Sequence, residues 1–259
     1  MLADINIALI VLRNVPFALF SLSPKAMQQD VAFTAKVRAT IGDDADRVWF
    51  EDVLTATWPE IYAAEPSLII SRCKAQDHAV PPIVAELQKL KDTNPATFKK
   101  LGQRLKAAQI LRPERFTNLA QLERVLSDSE APANDPRPVV VIIGPITDWN
   151  GALDTIGAAV VAPYLEKYRV IYRDAAIDLQ LVLQCEGATA TTRADDIVLC
   201  GHGQEELLQL DARLGPDGSL DIGDAQLFAR LGKCLKPGGK IALLSCSTGK
   251  GADTYVAKP

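Results

Sequence analysis

The sequence has few of the residues from which metal sites and disulfide frameworks are built. Only two histidines, His78 and His202, occur in 259 residues, and aromatic residues make up 6% of the chain. The five cysteines are odd in number, widely spaced and never in a Cys-x-x-Cys pair. This pattern argues against disulfides and against a zinc site, and it favours a reducing compartment. We therefore expect a cytoplasmic protein without a zinc site, and nothing in the sequence implies another metal or an organic cofactor.

The chain also lacks a strong charge of either sign and a long unbroken apolar run. Its 28 basic and 32 acidic residues give a formal net charge of -4, so no basic field attracts nucleic acid, and no nucleic-acid partner is expected. The apolar segment 1–23 carries an acidic residue, Asp4, near its start and is interrupted by Arg13, Asn14 and Pro16. A signal peptide needs a basic start, and a membrane span needs about 18 or more apolar residues. We expect two short helices here and no membrane span.

The first half of the chain has the apolar spacing of helices. In segments 80–93 and 95–111, apolar residues recur at steps of three and four, which is typical of amphipathic helices. Residues 128–138, DSEAPANDPRP, are rich in proline and acidic residues and carry no apolar side chain larger than alanine. The pattern predicts an all-α N-terminal domain over 1–127, a linker over 128–138 and a second domain over 139–259.

In the second half, predicted strands alternate with predicted helices. The run PVVVIIG at 138–144 is typical of a strand that is buried on both faces. Further strands are predicted at 169–175, 195–203 and 236–251, helices at 151–168, 177–187 and 224–235, and a hairpin at 205–223. This alternation predicts an α/β fold with a mostly parallel sheet between layers of helices. In such sheets, functional groups lie at the carboxyl ends of the strands.

Two reactive side chains follow predicted strands of this sheet. His202 stands between two glycines at the end of the third strand, and Cys246 stands between two serines at the end of the fourth. If these strands are neighbours, both side chains emerge at the same edge, where an imidazole can generate a nucleophilic thiolate. Glycine has no Cβ, so a substrate carbonyl can approach Gly203 closely. The N–H groups of Gly203 and Cys246 could then form an oxyanion hole.

This order of elements resembles the caspase-like cysteine peptidases of clan CD. Their shared pattern is a strand ending in His-Gly, a small hairpin, a helix and a strand ending in Ser-x-Cys or x-Cys. His202 and Cys246 are separated by 44 residues, close to the spacing of about 50 given for caspases. The local sequences HG and LLSCSTGKG are similar to bacterial CHAT-domain and separase-like members. The resemblance covers residues 137–259 and implies a caspase-like three-layer αβα sandwich.

The resemblance also implies a function, that of an endopeptidase that hydrolyses peptide bonds of a polypeptide substrate. It implies Cys246 as nucleophile, His202 as base and proton donor to the leaving amine, and Gly203 as oxyanion donor. Asp148 falls in a zone that lines the first specificity pocket in relatives, which implies a preference for a basic residue. The helical N-terminal domain is expected to bind a partner protein. A secreted effector that acts in a host cell is an alternative to a cytoplasmic enzyme.

The sequence departs from the family at two places. Leu244 stands where some relatives carry an acidic residue before Ser-Cys. The family continues with further strands after the cysteine, whereas 13 residues, 247–259, follow Cys246. We therefore expect the α/β domain to be incomplete at its C-terminus.

Two other functions stay open at this point. A helical half joined to a degenerate peptidase-like domain would act as a non-catalytic interaction protein, and the expected short sheet favours this alternative. The segment LKPGGKIALL, 235–244, also resembles the strand entry of methyltransferases that use S-adenosylmethionine. Those enzymes carry a Gly-x-Gly-x-Gly loop, which CGHGQ at 200–204 does not match.

Overall fold

The fold is taken from a computed structural model. It describes residues 38–132, 134–146, 148, 153, 155–174, 193–203, 207–210 and 219–245. Three of the sequence predictions lie outside these residues: the apolar segment 1–23, the helix at 177–187 and the position of Cys246.

The described part of the chain before residue 131 is built from helices. They are α1 (Asp44–Thr57), α2 (Pro59–Tyr62), α3 (Pro66–Ala75), α4 (Ile83–Thr93), α5 (Pro95–Ala108) and α6 (Leu119–Glu130). The Asn94 and Asn118 side chains accept hydrogen bonds from the backbone N–H groups of Thr97 and Gln121, and these caps begin α5 and α6. The amphipathic segments are therefore helices, as predicted. No helix in the described ranges is long and apolar enough to cross a membrane.

The second half contains a four-stranded parallel sheet and a small antiparallel sheet. Its elements are β1 (Val139–Gly144), α7 (Ala162–Leu165), β2 (Arg169–Asp174), β3 (Ala194–Cys200), β4 (His202–Gly203), β5 (Leu208–Gln209), β6 (Ser219–Leu220), α8 (Ala225–Gly232) and β7 (Leu235–Leu244). The parallel sheet has the order β2-β1-β3-β7, and β4, β5 and β6 pair in that order as antiparallel strands. The predicted α/β class with a mostly parallel sheet is confirmed.

Both faces of the parallel sheet are packed against other elements. On one face, Ile142 and Tyr172 share a core with residues of helices α3 to α6. On the other face, Ile143 shares a core with Leu208 of β5 and Leu231 of α8. Alternate residues of a strand point to opposite faces, so a strand covered on both sides has to be apolar at every position. This requirement explains the continuous apolar sequence of β1.

The helices and the sheet are connected by buried contacts as well as by the chain. Helix α6 runs to Glu130, so the first three residues of the predicted linker are helical. Asp128 is 2% exposed. It accepts a hydrogen bond from the Val170 N–H of β2 at 3.1 Å and pairs with Arg137 at 2.8 Å. The segment 128–138 is thus anchored near both ends, while the division of the chain into two domains stays a prediction.

Candidate functional site

The strand order reverses between β1 and β3, and open parallel sheets form a crevice outside the carboxyl ends of their strands at such a reversal. In the sheet, β2 lies on one side of β1 and β3 lies on the other side, so the chain passes from one neighbour of β1 to the other. Ligands of open parallel sheets bind at such a reversal, because the connections leave the two strands in opposite directions. Asp148 follows β1 and His202 follows β3, so the topology brings two of the predicted site residues to this crevice.

Strands β3 and β7 are direct neighbours, as the predicted pairing of His202 with Cys246 requires. They pair in parallel with Cys200 opposite Leu244, and the Gly201 N–H donates to the Leu244 carbonyl at 3.1 Å. The register offset between the two strands is 44 residues, which equals the separation of His202 from Cys246 along the chain. Cys246 itself lies outside the described residues.

The side chains of Asp148 and His202 meet at the carboxyl ends of β1 and β3. Asp148 Oδ1 lies 3.0 Å from His202 Nε2, and the two side chains are 7% and 11% exposed. The other carboxylate oxygen accepts a hydrogen bond from the Leu153 N–H at 2.9 Å. Burial raises the pKa of Asp148. The hydrogen bond with His202, the bond from Leu153 and the charge of Arg115 outweigh burial and hold the pKa below its ordinary value. Asp148 is therefore an ionised partner for the imidazole.

Steric crowding explains why the residue before His202 is a glycine, Gly201. A Cβ at Gly201 would lie 2.6 Å from the Gln209 carbonyl oxygen and 2.9 Å from Leu208 Cδ1, both of which belong to β5. Gly201 thus lets β5 approach the end of β3. His202 and Gly203 then form β4, opposite Gln209 and Leu208. We predicted His202 as the end of the third strand, but β3 ends at Cys200, and the antiparallel ribbon holds His202.

Gly203, the predicted oxyanion donor, lies in β4 beside His202. Its role as an oxyanion donor stays a prediction.

A buried ionic cluster around Asp174 and Arg115 lies near Asp148. It was not predicted from the sequence. Asp174, at the end of β2, accepts hydrogen bonds from the backbone N–H groups of Leu111 and Arg112, each at 2.8 Å. It also accepts one from the Arg115 guanidinium at 2.7 Å and one from the Tyr172 hydroxyl at 2.8 Å. Because the cluster is sealed from water, its charges act strongly on neighbouring groups, including Asp148. Its sequence signal was weak: two arginines within an apolar stretch, in a connection between helices.

Three cysteines in the described residues are buried: Cys73, Cys200 and Cys234. Burial raises the pKa of Cys200 to about 12, against a smaller opposing effect of the Arg115 charge. Cys200 is therefore a neutral thiol at physiological pH and is not a nucleophile of this site.

No group of three or more histidines, cysteines, aspartates or glutamates within the described ranges is placed to hold a metal ion. Asp148 and His202 meet as a pair. Their geometry supports the orientation of an imidazole by a carboxylate.

Comparisons with known proteins add no relative. No protein-family model matches this chain, and no curated protein or solved structure matches it significantly.

Proposed function

We propose that this protein is a caspase-like cysteine peptidase in which Cys246 attacks the peptide carbonyl, His202 transfers the proton and Asp148 orients His202. The observation that carries the proposal is the buried contact between Asp148 and His202, with 3.0 Å between Oδ1 and Nε2. It lies at the strand reversal of a parallel sheet whose next strand, β7, leads to Cys246. The proposed fold is the caspase-like αβα sandwich preceded by an all-α domain.

The register of β3 and β7 supports the choice of Cys246 as nucleophile. The two strands keep one offset from Asp196 opposite Lys240 to Cys200 opposite Leu244. Beyond the end of this pairing, the same number of residues separates His202 from Cys246 in the sequence. Of the five cysteines, Cys73, Cys200 and Cys234 are buried. Cys200 ends β3 at this edge of the sheet, but burial raises the pKa of its thiol to about 12.

The Asp148 contact assigns the two nitrogens of His202. We propose that Nε2 carries a proton directed towards the ionised Asp148 carboxylate, 3.0 Å away. Proton transfer with the thiol is then assigned to Nδ1. Asp148 stabilises the imidazolium that forms when the thiol proton is taken up.

The proposed cycle balances with water as the only co-substrate. The Cys246 thiolate forms an S–C bond to the peptide carbonyl, whose electron pair moves to the oxygen and is held by backbone N–H groups. The C–N bond then breaks, and the leaving amine takes the proton from His202. Water adds to the thioester, gives a proton back to His202, and the C–S bond breaks to release the acid and the thiolate.

We assign Asp148 to orientation of His202 and not to recognition of a basic residue. One carboxylate oxygen contacts His202 and the other accepts from the Leu153 N–H. A carboxylate that is already paired in this way has less capacity to bind a substrate cation. The expected preference for a basic residue therefore has no support from the geometry of Asp148.

Covalent labelling tests the nucleophile. The experiment uses a parent protein that carries Cys185→Ser, so that Cys246 is the one cysteine left besides the three buried ones. We incubate this parent, called wild type below, and its variants Cys246→Ala and Ser245→Ala with a mixture of peptidyl acyloxymethyl ketones, and then digest them with trypsin. We expect a single adduct on the peptide that contains residue 246 in wild type and Ser245→Ala, and none in Cys246→Ala. Equal labelling of Cys246→Ala would exclude the proposed nucleophile. Turnover is then sought with a peptide library read by mass spectrometry.

A non-catalytic interaction protein is the second candidate, favoured by Leu244. This large apolar side chain is 41% exposed at the end of β7, where a partner strand or a further element of a sheet would cover it. An interaction protein would neither take up the activity probe nor hydrolyse any peptide of the library.

A further inference from the structure

We infer that the helices position the Asp148 loop against His202, and that Gln76 is a positioning residue of this device. The inference rests on the proposed function, since it names what holds the orienting carboxylate in place. It also gives the helical layer a role at the site itself, beyond the recruitment of a partner.

Side chains from the helical layer bind the carbonyl oxygens of the loop that follows β1. Arg115 Nη1 donates to the Pro145 carbonyl, and Arg112 Nε donates to the Ile146 carbonyl at 2.9 Å. Gln76 Nε2 donates to the carbonyl of Asp148 itself at 3.0 Å. The three donors thus act on consecutive parts of one short loop, and they fix its backbone from the side of the helices.

The two arginines are themselves held in place by buried carboxylates. Arg112 Nη2 lies 2.6 Å from Asp52 Oδ1 of α1, and Arg115 Nη1 lies 2.7 Å from Asp174 Oδ1 of β2. Because these side chains are almost fully buried, their geometry changes little without disruption of the surrounding packing. The two arginines that donate to the loop carbonyl groups are therefore held in fixed positions, and they connect the loop to both the helices and the sheet.

Gln76 lies nearest to the functional group, and it is the donor that can be removed separately. It follows the last residue of α3, is half-buried and is neutral. Replacing Arg112 or Arg115 would strand a buried carboxylate and endanger folding. Replacing Gln76 removes one hydrogen bond to the Asp148 backbone, while the backbone N–H of residue 76 keeps its bonds to Arg72 and Lys74.

The contact between Asp148 and His202 is sensitive to a small displacement. Hydrogen bonds from N–H to oxygen have heavy-atom distances of about 2.7–3.2 Å, and a separation of about 3.6 Å is too long for one. A loop that is released at the Asp148 carbonyl would let the carboxylate drift from His202 Nε2. Misplacement of a catalytic group by about 1 Å can cost on the order of 100-fold in rate.

The test compares Gln76→Ala and Gln76→Glu with the matched control Lys74→Ala, an exposed position on the same helix. Gln76→Glu keeps the size of the side chain but replaces the donor with an acceptor. The full chain is labelled with isotopes at its two histidines, and His78→Gln assigns the signals. We expect both Gln76 variants to shift the ring-nitrogen signals of His202 in the direction seen in Asp148→Asn, and Lys74→Ala to leave them unchanged.

Activity gives the second readout. With a peptide substrate from the library, kcat should fall on the order of 10-fold in both Gln76 variants with KM unchanged, as positioning without substrate contact requires. His202 signals identical to wild type in both Gln76 variants would overturn the inference. If the His202 signals shift in the Gln76 variants but Cys246 is never labelled, the positioning role is supported and the peptidase is excluded. Failure of the inference and failure of the proposed function are therefore distinguishable.

Discussion

Asp148 and His202 are 54 positions apart in the chain, yet their side chains meet with 3.0 Å between Oδ1 and Nε2. The two residues follow β1 and β3, which are adjacent parallel strands. Neither residue is placed by the sheet alone, because Asp148 is held by donors from the helices and His202 by the small antiparallel sheet. The pair is therefore a point where three parts of the fold meet.

Asp148→Asn should lower kcat by about 100-fold or more while the fold is retained. The amide keeps the size of the side chain but removes the charge that stabilises the imidazolium, and general-base catalysis contributes 100- to 10,000-fold in typical enzymes. The measurement is kcat and KM on a library peptide, with circular dichroism as the check on folding. Asp92→Asn, at an exposed position of α4, is the control and should be fully active.

The pattern of loss across substrates separates two roles of Asp148. If it orients His202, Asp148→Asn loses the same factor on every peptide. If it lines a specificity pocket, as the family resemblance implied, the loss is confined to peptides with a basic residue before the cleaved bond. A selective loss of this kind would contradict our assignment.

Thiol reactivity should divide the cysteines into two groups. At pH 8, iodoacetamide is expected to leave Cys73, Cys200 and Cys234 unmodified in the native protein, since all three are buried. The pKa of Cys200 is raised to about 12, so its thiolate is scarce as well as shielded. Intact mass should therefore show at most two adducts before denaturation and five after it. Rapid native modification of Cys200 would show that this part of the core is open.

Sequence patterns predicted the parallel sheet because its signals are local. The continuous apolar run at 139–144 and the alternation of strands with helices require only that buried strands be apolar. The sequence also placed His202 at the carboxyl edge of the sheet, since this edge follows from strand direction. The adjacency of β3 and β7 was an assumption that the structure then confirmed.

The side-chain partners at the site were not predictable because they are non-local. Asp148 was expected to face a substrate pocket, and its contact with His202 depends on the path of two loops. Arg112 and Arg115 carry no motif, and their partners Asp52 and Asp174 come from a helix and a strand about 60 positions away. Periodicity tells which face a residue lies on, and it carries no information on which buried charge it meets.

Gly201→Ala should destabilise the protein by about 1–3 kcal/mol, because its Cβ would lie 2.6 Å from the Gln209 carbonyl oxygen. That oxygen belongs to the backbone, so relief requires β5 to move away from β3. Urea unfolding measures the effect. The control is Gly232→Ala at the end of α8, where a Cβ meets nothing within 4 Å. There, alanine should leave stability unchanged or raise it by up to about 1 kcal/mol. Equal stabilities of the two variants would contradict the close approach.

Glu51 should make the protein less stable as pH rises towards 7. Burial raises the pKa of Glu51 from 4.5 to about 7, although the Ser71 hydrogen bond and the charges of Arg38 and Arg72 lower it and the charge of Asp52 raises it. The folded state therefore keeps the proton that the unfolded state releases. This contribution to stability is complete below the unfolded pKa and is lost between pH 4.5 and about 7.

Glu51→Gln removes this titration and leaves the other groups in place. The free energy of unfolding of wild type, measured relative to Glu51→Gln, should fall by about 2–3 kcal/mol between pH 5 and pH 8, since one pKa unit corresponds to about 1.4 kcal/mol. Urea titrations at each pH provide the values. Glu166→Gln, at an exposed position after α7, is the control and should follow the wild-type slope. Parallel curves for wild type and Glu51→Gln would show that Glu51 is ionised in the folded protein, stabilised by Arg38 and Arg72 more strongly than burial opposes it.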